Sequence, residues 1–156
     1  MSNQEIKLLA HLMRRAGFGA TREELAACAR DGYEATVARL LDTTNPVSMS
    51  EYLIRRFHPD ESSMLLGGSG KDAWLYRMAT TSAPLLEKMT LFWHGIFATG
   101  YNKVVNSKPL SDQIRMFRRY AMGSLRTLLV ELSKDPAMII WLDNQQNHKG
   151  AINENF

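Results

Sequence analysis

The sequence lacks the features that mark secreted or membrane-spanning proteins. Cys28 is the only cysteine, so no internal disulfide can form and folding needs no oxidising compartment. No apolar run approaches the roughly 20 residues that a membrane span requires. The first residues contain neither a continuous apolar stretch nor a cleavage site of small residues. We therefore expect no transmembrane segment and no signal peptide in this chain, which leaves the cytoplasm as the default location.

A strong excess of either charge is also missing. Nineteen basic and 16 acidic residues leave a formal net charge of +3, too little by itself to favour nucleic acid as a partner. The hydrophobic share of 45% is enough for a buried core and argues against a disordered chain. The composition predicts a folded domain, and its charge does not by itself indicate a nucleic-acid partner.

No segment shows the alternation of a half-buried strand, whereas helical spacing recurs almost throughout. Thr21 and Glu24 form a capping box, and Asp135 precedes Pro136 as a helix cap. A further helix is predicted over residues 48–57. We predict an all-α fold of seven to nine helices in an irregular bundle, with one domain over residues 1–156.

A flexible loop is predicted over residues 58–72, which contain one proline and three glycines. Its "LLGGSGKD" resembles a phosphate-binding loop only superficially. Leu65 stands where that motif needs glycine, and Asp72 stands where it needs serine or threonine. A linker is therefore the favoured interpretation of this stretch.

The apolar segment "PLLEKMTLFWHGIFATG" predicts a helix that is buried on most sides. Glu87 and His94 are seven residues apart and project along nearly the same line of it. They could act as general acid and base, or one could bind a metal with other segments. A core histidine and a buried ion pair are the plainer alternative. A separation of roughly 10 Å along the helix prevents both from binding one metal ion directly.

The polar segment after "AMIIWL" is the second candidate region. Its carboxamides can donate and accept hydrogen bonds, so they suit loop bridging or contact with a polar ligand. The predicted catalytic residues are Glu87, His94 and Asp143. The predicted ligand-binding residues are Asn144, Asn147, Asn153, Asn155 and Arg15. We assign no metal ligands, because neither His11 nor His58 has the spacing of a metal site, and the cofactor stays unknown.

A basic face on the segment "LSDQIRMFRRYAM" offers a different function. Arg115, Arg118 and Arg119 lie opposite its apolar stripe and could bind phosphate or another anion. A solvated helix face is the simpler interpretation.

Three segments resemble one protein family. "HLMRRAGFGATREEL", "PLLEKMTLFWHGIFATG" and "DPAMIIWLDNQQNHKGAINENF" are similar, in order and spacing, to the bacterial family catalogued as domain of unknown function 1800, over positions 11 to 156. The resemblance implies no established activity. It implies that the chain is the N-terminal part of a larger protein, cut inside a motif at Phe156, so that the missing C-terminal part packs here. Ile96 stands where members often have a second histidine, which weakens a metal site there.

Besides anion or nucleic-acid binding through Arg115, Arg118 and Arg119, two functions remain open, and whether the protein is an enzyme is not decided. The first is an enzyme or ligand-binding site built from Glu87, His94 and the polar residues 143–155, with hydrolase-like chemistry as a guess. The second is a non-catalytic helical scaffold or partner-binding module, in which the same polar residues join loops to helices.

Overall fold

The computed structural model describes residues 2–44 and 69–153. Within these two ranges it contains nine α-helices, one short 3₁₀ turn and no strand, which confirms the all-α prediction. The helices are α1 (Asn3–Arg15), α2 (Arg22–Asp31), α3 (Tyr33–Leu41), α4 (Ser69–Thr80), α5 (Pro84–Ile96), α6 (Tyr101–Val104), α7 (Ser107–Tyr120), α8 (Leu125–Leu132) and α9 (Pro136–Trp141). The 3₁₀ turn spans Asn144–Gln146.

Two predictions fall wholly or partly outside the described residues. The helix expected over 48–57 lies outside them, as do residues 58–68 of the expected loop. The last residues of that loop, 69–72, instead form the start of α4. Asp72 lies in its first turn, where a carboxylate is favoured by the exposed N–H groups of the helix.

The chain divides into two compact units, and α4 and α5 each contribute to both. The first unit comprises Met1–Ser48 and Tyr76–Lys88, and the second comprises Met49–Leu75 and Met89–Phe156. That residues 1–156 form a single domain stays a prediction. Across residues 2–44 and 69–153, no helix combines the length and the apolar character needed to cross a bilayer.

In the first unit, local sequence signals set the helix ends. The predicted capping box is present: Glu24 N–H donates to Thr21 Oγ1 at 3.2 Å, and Thr21 N–H donates to the Glu24 carboxylate at 2.6 Å. Gly32, at φ 92°, separates α2 from α3. Arg39 of α3 donates to Cys28 Sγ at 3.0 Å and to Asp31 Oδ2 at 2.8 Å. These bonds hold α2 against α3.

The second unit is built around Phe117, which is fully buried in α7. Its core cluster also contains Leu128, Leu132 and Met138 from α8 and α9. Six partly buried side chains pack against this cluster, and they are Trp93, Phe97, Met116, Tyr120, Trp141 and Leu142. The core therefore joins α5, α7, α8 and α9.

A buried polar chain crosses the same unit beside this core. Thr99 Oγ1 donates to Gln113 Oε1 at 2.6 Å, and Gln113 Nε2 donates to Asp135 Oδ1 at 2.8 Å. The same carboxylate oxygen accepts from Met138 N–H at 2.8 Å, so Asp135 caps α9 as its sequence predicts. Burial raises the pKa of Asp135 above its ordinary value, although the bonds from Met138 and Gln113 oppose that rise.

Replacing the central amide of this chain is expected to destabilise the second unit. Gln113→Leu keeps most of the side-chain volume but leaves the Thr99 hydroxyl and the Asp135 carboxylate without their bonds to Gln113. We expect a loss of about 2–4 kcal/mol in the free energy of unfolding, measured by urea denaturation.

The control is Gln145→Leu, in the 3₁₀ turn, where the wild-type side chain is exposed. A pH series adds a second criterion. In the variant, Asp135 lacks a hydrogen bond that favours its charged form. The decrease in the free energy of unfolding should therefore be larger near neutral pH than in acid. Equal stability of the two variants would contradict the bridging role of Gln113.

Candidate functional site

His94 lies in the last turn of α5, in the second unit. Its ring meets the Trp74 ring edge-on, with centroids 5.1 Å apart and planes at 68°. On another side it meets Phe117, with centroids 6.3 Å apart and planes at 88°. The core phenylalanine and a tryptophan of α4 therefore fix the position of this imidazole.

The helix that carries His94 is less buried than its apolar sequence predicts. Phe92 and Ile96, one turn apart, are each about half exposed. Trp93 points to the core, and its Nε1–H donates to the Ala121 carbonyl at 3.0 Å. His94 thus lies between a solvated face and a buried face of α5.

Partial burial lowers the pKa of His94 below its ordinary value. No hydrogen bond or charge from the described residues offsets this effect. Near pH 7 the imidazole is therefore neutral, with one N–H donor and one acceptor nitrogen that the described side chains do not use. A half-buried histidine with both functions available can bind a ligand or exchange a proton.

Trp74 provides a second polar group without a hydrogen-bond partner among the described residues. Its Nε1 is buried, and within residues 2–44 and 69–153 nothing accepts a hydrogen bond from it. A buried N–H without an acceptor costs about 1–3 kcal/mol, so such groups are uncommon in folded proteins. Sequence reasoning did not single out Trp74, because nothing around it distinguishes it from an ordinary core tryptophan.

Glu87 and Arg15, two other predicted site residues, belong to the first unit. Glu87 lies in the first turn of α5 and is fully buried. Arg15 lies exposed in the last turn of α1. Glu87 and His94 share α5, as predicted, at its opposite ends.

The terminal segment, residues 143–153, is bonded largely to itself. Asn153 Nδ2 donates to the Leu142 carbonyl at 2.5 Å, and Asn153 N–H donates to Asn147 Oδ1 at 2.6 Å. Asn147 Nδ2 in turn donates to Asn144 Oδ1 at 2.8 Å. The predicted ligand-binding carboxamides that the structure describes thus lie together, and they bridge the two ends of a loop.

A tight turn closes the far end of this loop. His148 N–H and Ala151 N–H each donate to the other residue's carbonyl, at 3.2 and 3.0 Å. Gly150, at φ 91°, allows the reversal between them. Asn155 lies outside the described residues. The terminal segment is therefore a loop that hydrogen bonds close at both ends.

Asp143 begins the loop and is held by Lys103 of α6. Lys103 Nζ donates to Asp143 Oδ2 at 2.6 Å and to the Trp141 carbonyl at 2.7 Å. Asp143 adopts φ 57°, a left-handed conformation that short polar side chains tolerate. Its carboxylate thus already has a cation as partner.

The basic face of α7 also contains an acidic residue. Arg115 donates to Asp112 at 2.6 Å and Lys108 donates to the same carboxylate at 2.6 Å, so acidic and basic side chains are interspersed on α7.

Over the described part of the chain, no three His, Cys, Asp or Glu side chains lie close enough together to hold a metal ion.

A model of the family described as Protein of unknown function (DUF1800) matches residues 11–156. This confirms the resemblance that the three sequence segments suggest. Neither the curated proteins nor the solved structures contain a match to the chain. The bacterial origin and the fragment status of the chain stay predictions.

The environment of His94 predicts a specific pH dependence of stability. Its pKa is lowered in the folded state, so the unfolded chain binds more protons below the ordinary value of 6.5. Stability is therefore expected to fall as pH falls through that region. His94→Phe should remove this component, measured as melting temperature between neutral and mildly acidic pH. His148→Phe, at an exposed position, should keep the wild-type dependence; identical pH profiles for wild type and His94→Phe would refute the assignment.

The bonding of the terminal segment predicts a local effect for Asn153→Ala. The variant loses the bond to the Leu142 carbonyl, which we expect to lower the free energy of loop opening by about 1 kcal/mol. Hydrogen exchange of the Ala151 N–H should accelerate, while amides of α7 keep their protection. Gln146→Ala, at an exposed position in the same loop, serves as control. Unchanged exchange at Ala151 would show that Asn153 does not hold the loop.

Proposed function

The chain belongs to the DUF1800 family, and on this premise we propose that its second unit binds a small ligand beside the contacting rings of His94 and Trp74. The observation behind the proposal is the edge-on contact of two nitrogen-bearing rings, whose centroids are 5.1 Å apart. The indole N–H is buried without an acceptor among the described residues, and the imidazole nitrogens have no described hydrogen-bond partner either. Unused polar groups in aromatic surroundings are characteristic of ligand sites.

The two groups define the chemistry of the ligand. Indole N–H only donates, so it requires an acceptor atom such as a carbonyl or carboxylate oxygen. Neutral imidazole can donate to the same group or accept from a neighbouring hydroxyl. The edges and faces of Trp74 and Phe117 favour an apolar or aromatic body beside that oxygen. We therefore propose a small organic molecule with an oxygen acceptor on an apolar body.

The charge of the ligand has a measurable consequence. A carboxylate next to His94 would stabilise the imidazolium and raise the pKa of the histidine, so binding would take up a proton. A neutral carbonyl compound would bind without that change. Benzoate and benzamide share one aromatic body and differ in this respect, which makes them suitable probes.

The experiment follows the three tryptophan indole N–H resonances by NMR while each probe is added. We expect the Trp74 resonance to move and saturate at millimolar probe. The Trp93 indole provides an internal control, because its N–H already donates to Ala121. His94→Phe should weaken binding of a probe at least about tenfold, the effect of one lost hydrogen bond to a buried group. His148→Phe should leave it unchanged.

Several results would contradict this function. If neither probe moves the Trp74 resonance, or if His94→Phe binds both probes as wild type does, the site is not used. Asn153→Ala provides a further arm. Because its carboxamide is engaged within the terminal segment, we expect its effect to be on stability and not on probe affinity.

A catalytic role would add to binding. Neutral His94 could serve as a general base towards a bound ligand, and hydrolase-like chemistry by Glu87, His94 and Asp143 stays a prediction. The engagement of Asp143 with Lys103 makes it less available as a catalytic acid. The packing of a further part of the protein on this chain also stays a prediction.

The bonding within residues 142–153 favours the second candidate function, a scaffold, for the terminal segment alone. Its carboxamides act as a clamp that fixes a loop against the end of α9, since Asn153 reaches the Leu142 carbonyl. The segment would then present His148 and Lys149 without binding a ligand through its asparagines. The Asn153→Ala exchange measurement above tests this function directly.

A further inference from the structure

We propose that the outer face of α8, formed by Leu125, Arg126, Leu129, Val130 and Ser133, docks an amphipathic helix of a partner protein that carries an acidic side chain. This face is remote in sequence from His94 and Trp74, and the proposal does not depend on the proposed ligand site. These five residues line a shallow groove. The proposal rests on the distribution of apolar and charged groups around α8.

The apolar surface of α8 extends beyond its buried stripe. Leu128 and Leu132 are buried in the core of the second unit. Beside them Leu125, Leu129 and Val130 remain 51%, 42% and 46% exposed. Surface helices normally carry polar residues outside the stripe that faces the core. Three large aliphatic side chains clustered on one exposed face therefore indicate a contact surface.

The spacing of these residues suits a helix as the occupant. Leu125, Leu129 and Ser133 follow each other at four-residue intervals and form one row along α8. Arg126 and Val130 form the neighbouring row. Rows of this kind create the grooves into which the side chains of a second helix fit. The Ser133 hydroxyl donates to the Val130 carbonyl at 2.8 Å, so it does not need water or a polar ligand in the groove.

Charge determines which helix fits. Arg126 is the only charged residue that lines the groove, and among residues 2–44 and 69–153 it forms no ion pair. Glu131 bonds instead to Lys134 at 2.8 Å, and by its position in the helix it lies on the side away from the groove. The groove thus offers apolar contacts and one free cation, which a partner with an apolar stripe and a carboxylate complements.

A second copy of this chain is the less suitable occupant. Two such faces packed together would bring two Arg126 side chains into one apolar interface without an acidic residue to pair with either. Like charges in a desolvated contact are unfavourable. An eight-residue helix is also only about 12 Å long, so the contact area is small and the interaction with a partner helix is expected to be transient.

The test uses two fluorescent peptides of about 15 residues, the length needed for appreciable helix formation. Both carry the same leucine stripe; one has glutamate beside the stripe and the other has lysine. We expect the full chain to bind the acidic peptide about tenfold more tightly in low salt, measured by anisotropy, because the exchange converts attraction to Arg126 into repulsion. Raising the salt concentration should reduce this preference.

Variants separate the proposed surface from the rest of the chain. Leu129→Glu should abolish binding, and Arg126→Glu should reverse the preference towards the lysine peptide. Leu41→Glu, at an exposed leucine of α3, is the matched control and should bind as wild type does. Circular dichroism confirms folding of each variant.

Other outcomes overturn the proposal. Absence of binding by both peptides at millimolar concentration would do so, as would equal affinity for the two or binding that survives Leu129→Glu. Sedimentation of the chain alone tests the second copy. Self-association that Leu129→Glu removes would assign the face to a homodimer instead of a partner helix.

Discussion

The side chain of Gln113 joins two segments of the second unit by hydrogen bonds. Hydrogen bonds have a fixed direction, so they align these segments more specifically than apolar contacts do. Its amide accepts from Thr99, before α6, and donates to Asp135, which caps α9. One residue of α7 thereby ties the segment between α5 and α6 to the start of α9. Buried amides that use both their donor and acceptor in this way favour one arrangement over other packings of similar apolar area.

Some polar groups in the second unit have hydrogen-bond partners within the protein, and others have none among the described residues. The candidate site is defined by this difference. Gln113, Asp135 and Asn153 have protein partners at short distance, and they stabilise helix ends and a loop. The imidazole of His94 and the indole of Trp74 have no such partners among the described residues. A chain that satisfies its buried carboxamides so fully has little structural reason to leave an indole N–H unbonded. The ligand proposed for this site would supply that reason.

Local features of the fold were predictable from sequence, and long-range pairings were not. The Thr21–Glu24 box and the Asp135 cap depend on residues three positions apart, so spacing alone reveals them. Within the candidate site, His94 is recognisable from sequence as a polar residue in an apolar helix. Its neighbour Trp74 comes from another helix, and neither propensity nor periodicity relates them. The carboxamides of the terminal segment were recognised as polar and grouped, but their mutual bonds depend on the loop closing back on Leu142.

Cys28 has a consequence for how the first unit can be studied. It is the only thiol in the chain, it is 2% exposed, and Arg39 of the next helix covers its sulfur. A thiol reagent can reach it only when α2 and α3 separate. The rate of alkylation of the unmodified protein therefore reports the opening of the first unit alone, independently of spectroscopic changes that the tryptophans contribute from the second. Cys28 is thus a native chemical probe of opening in the first unit.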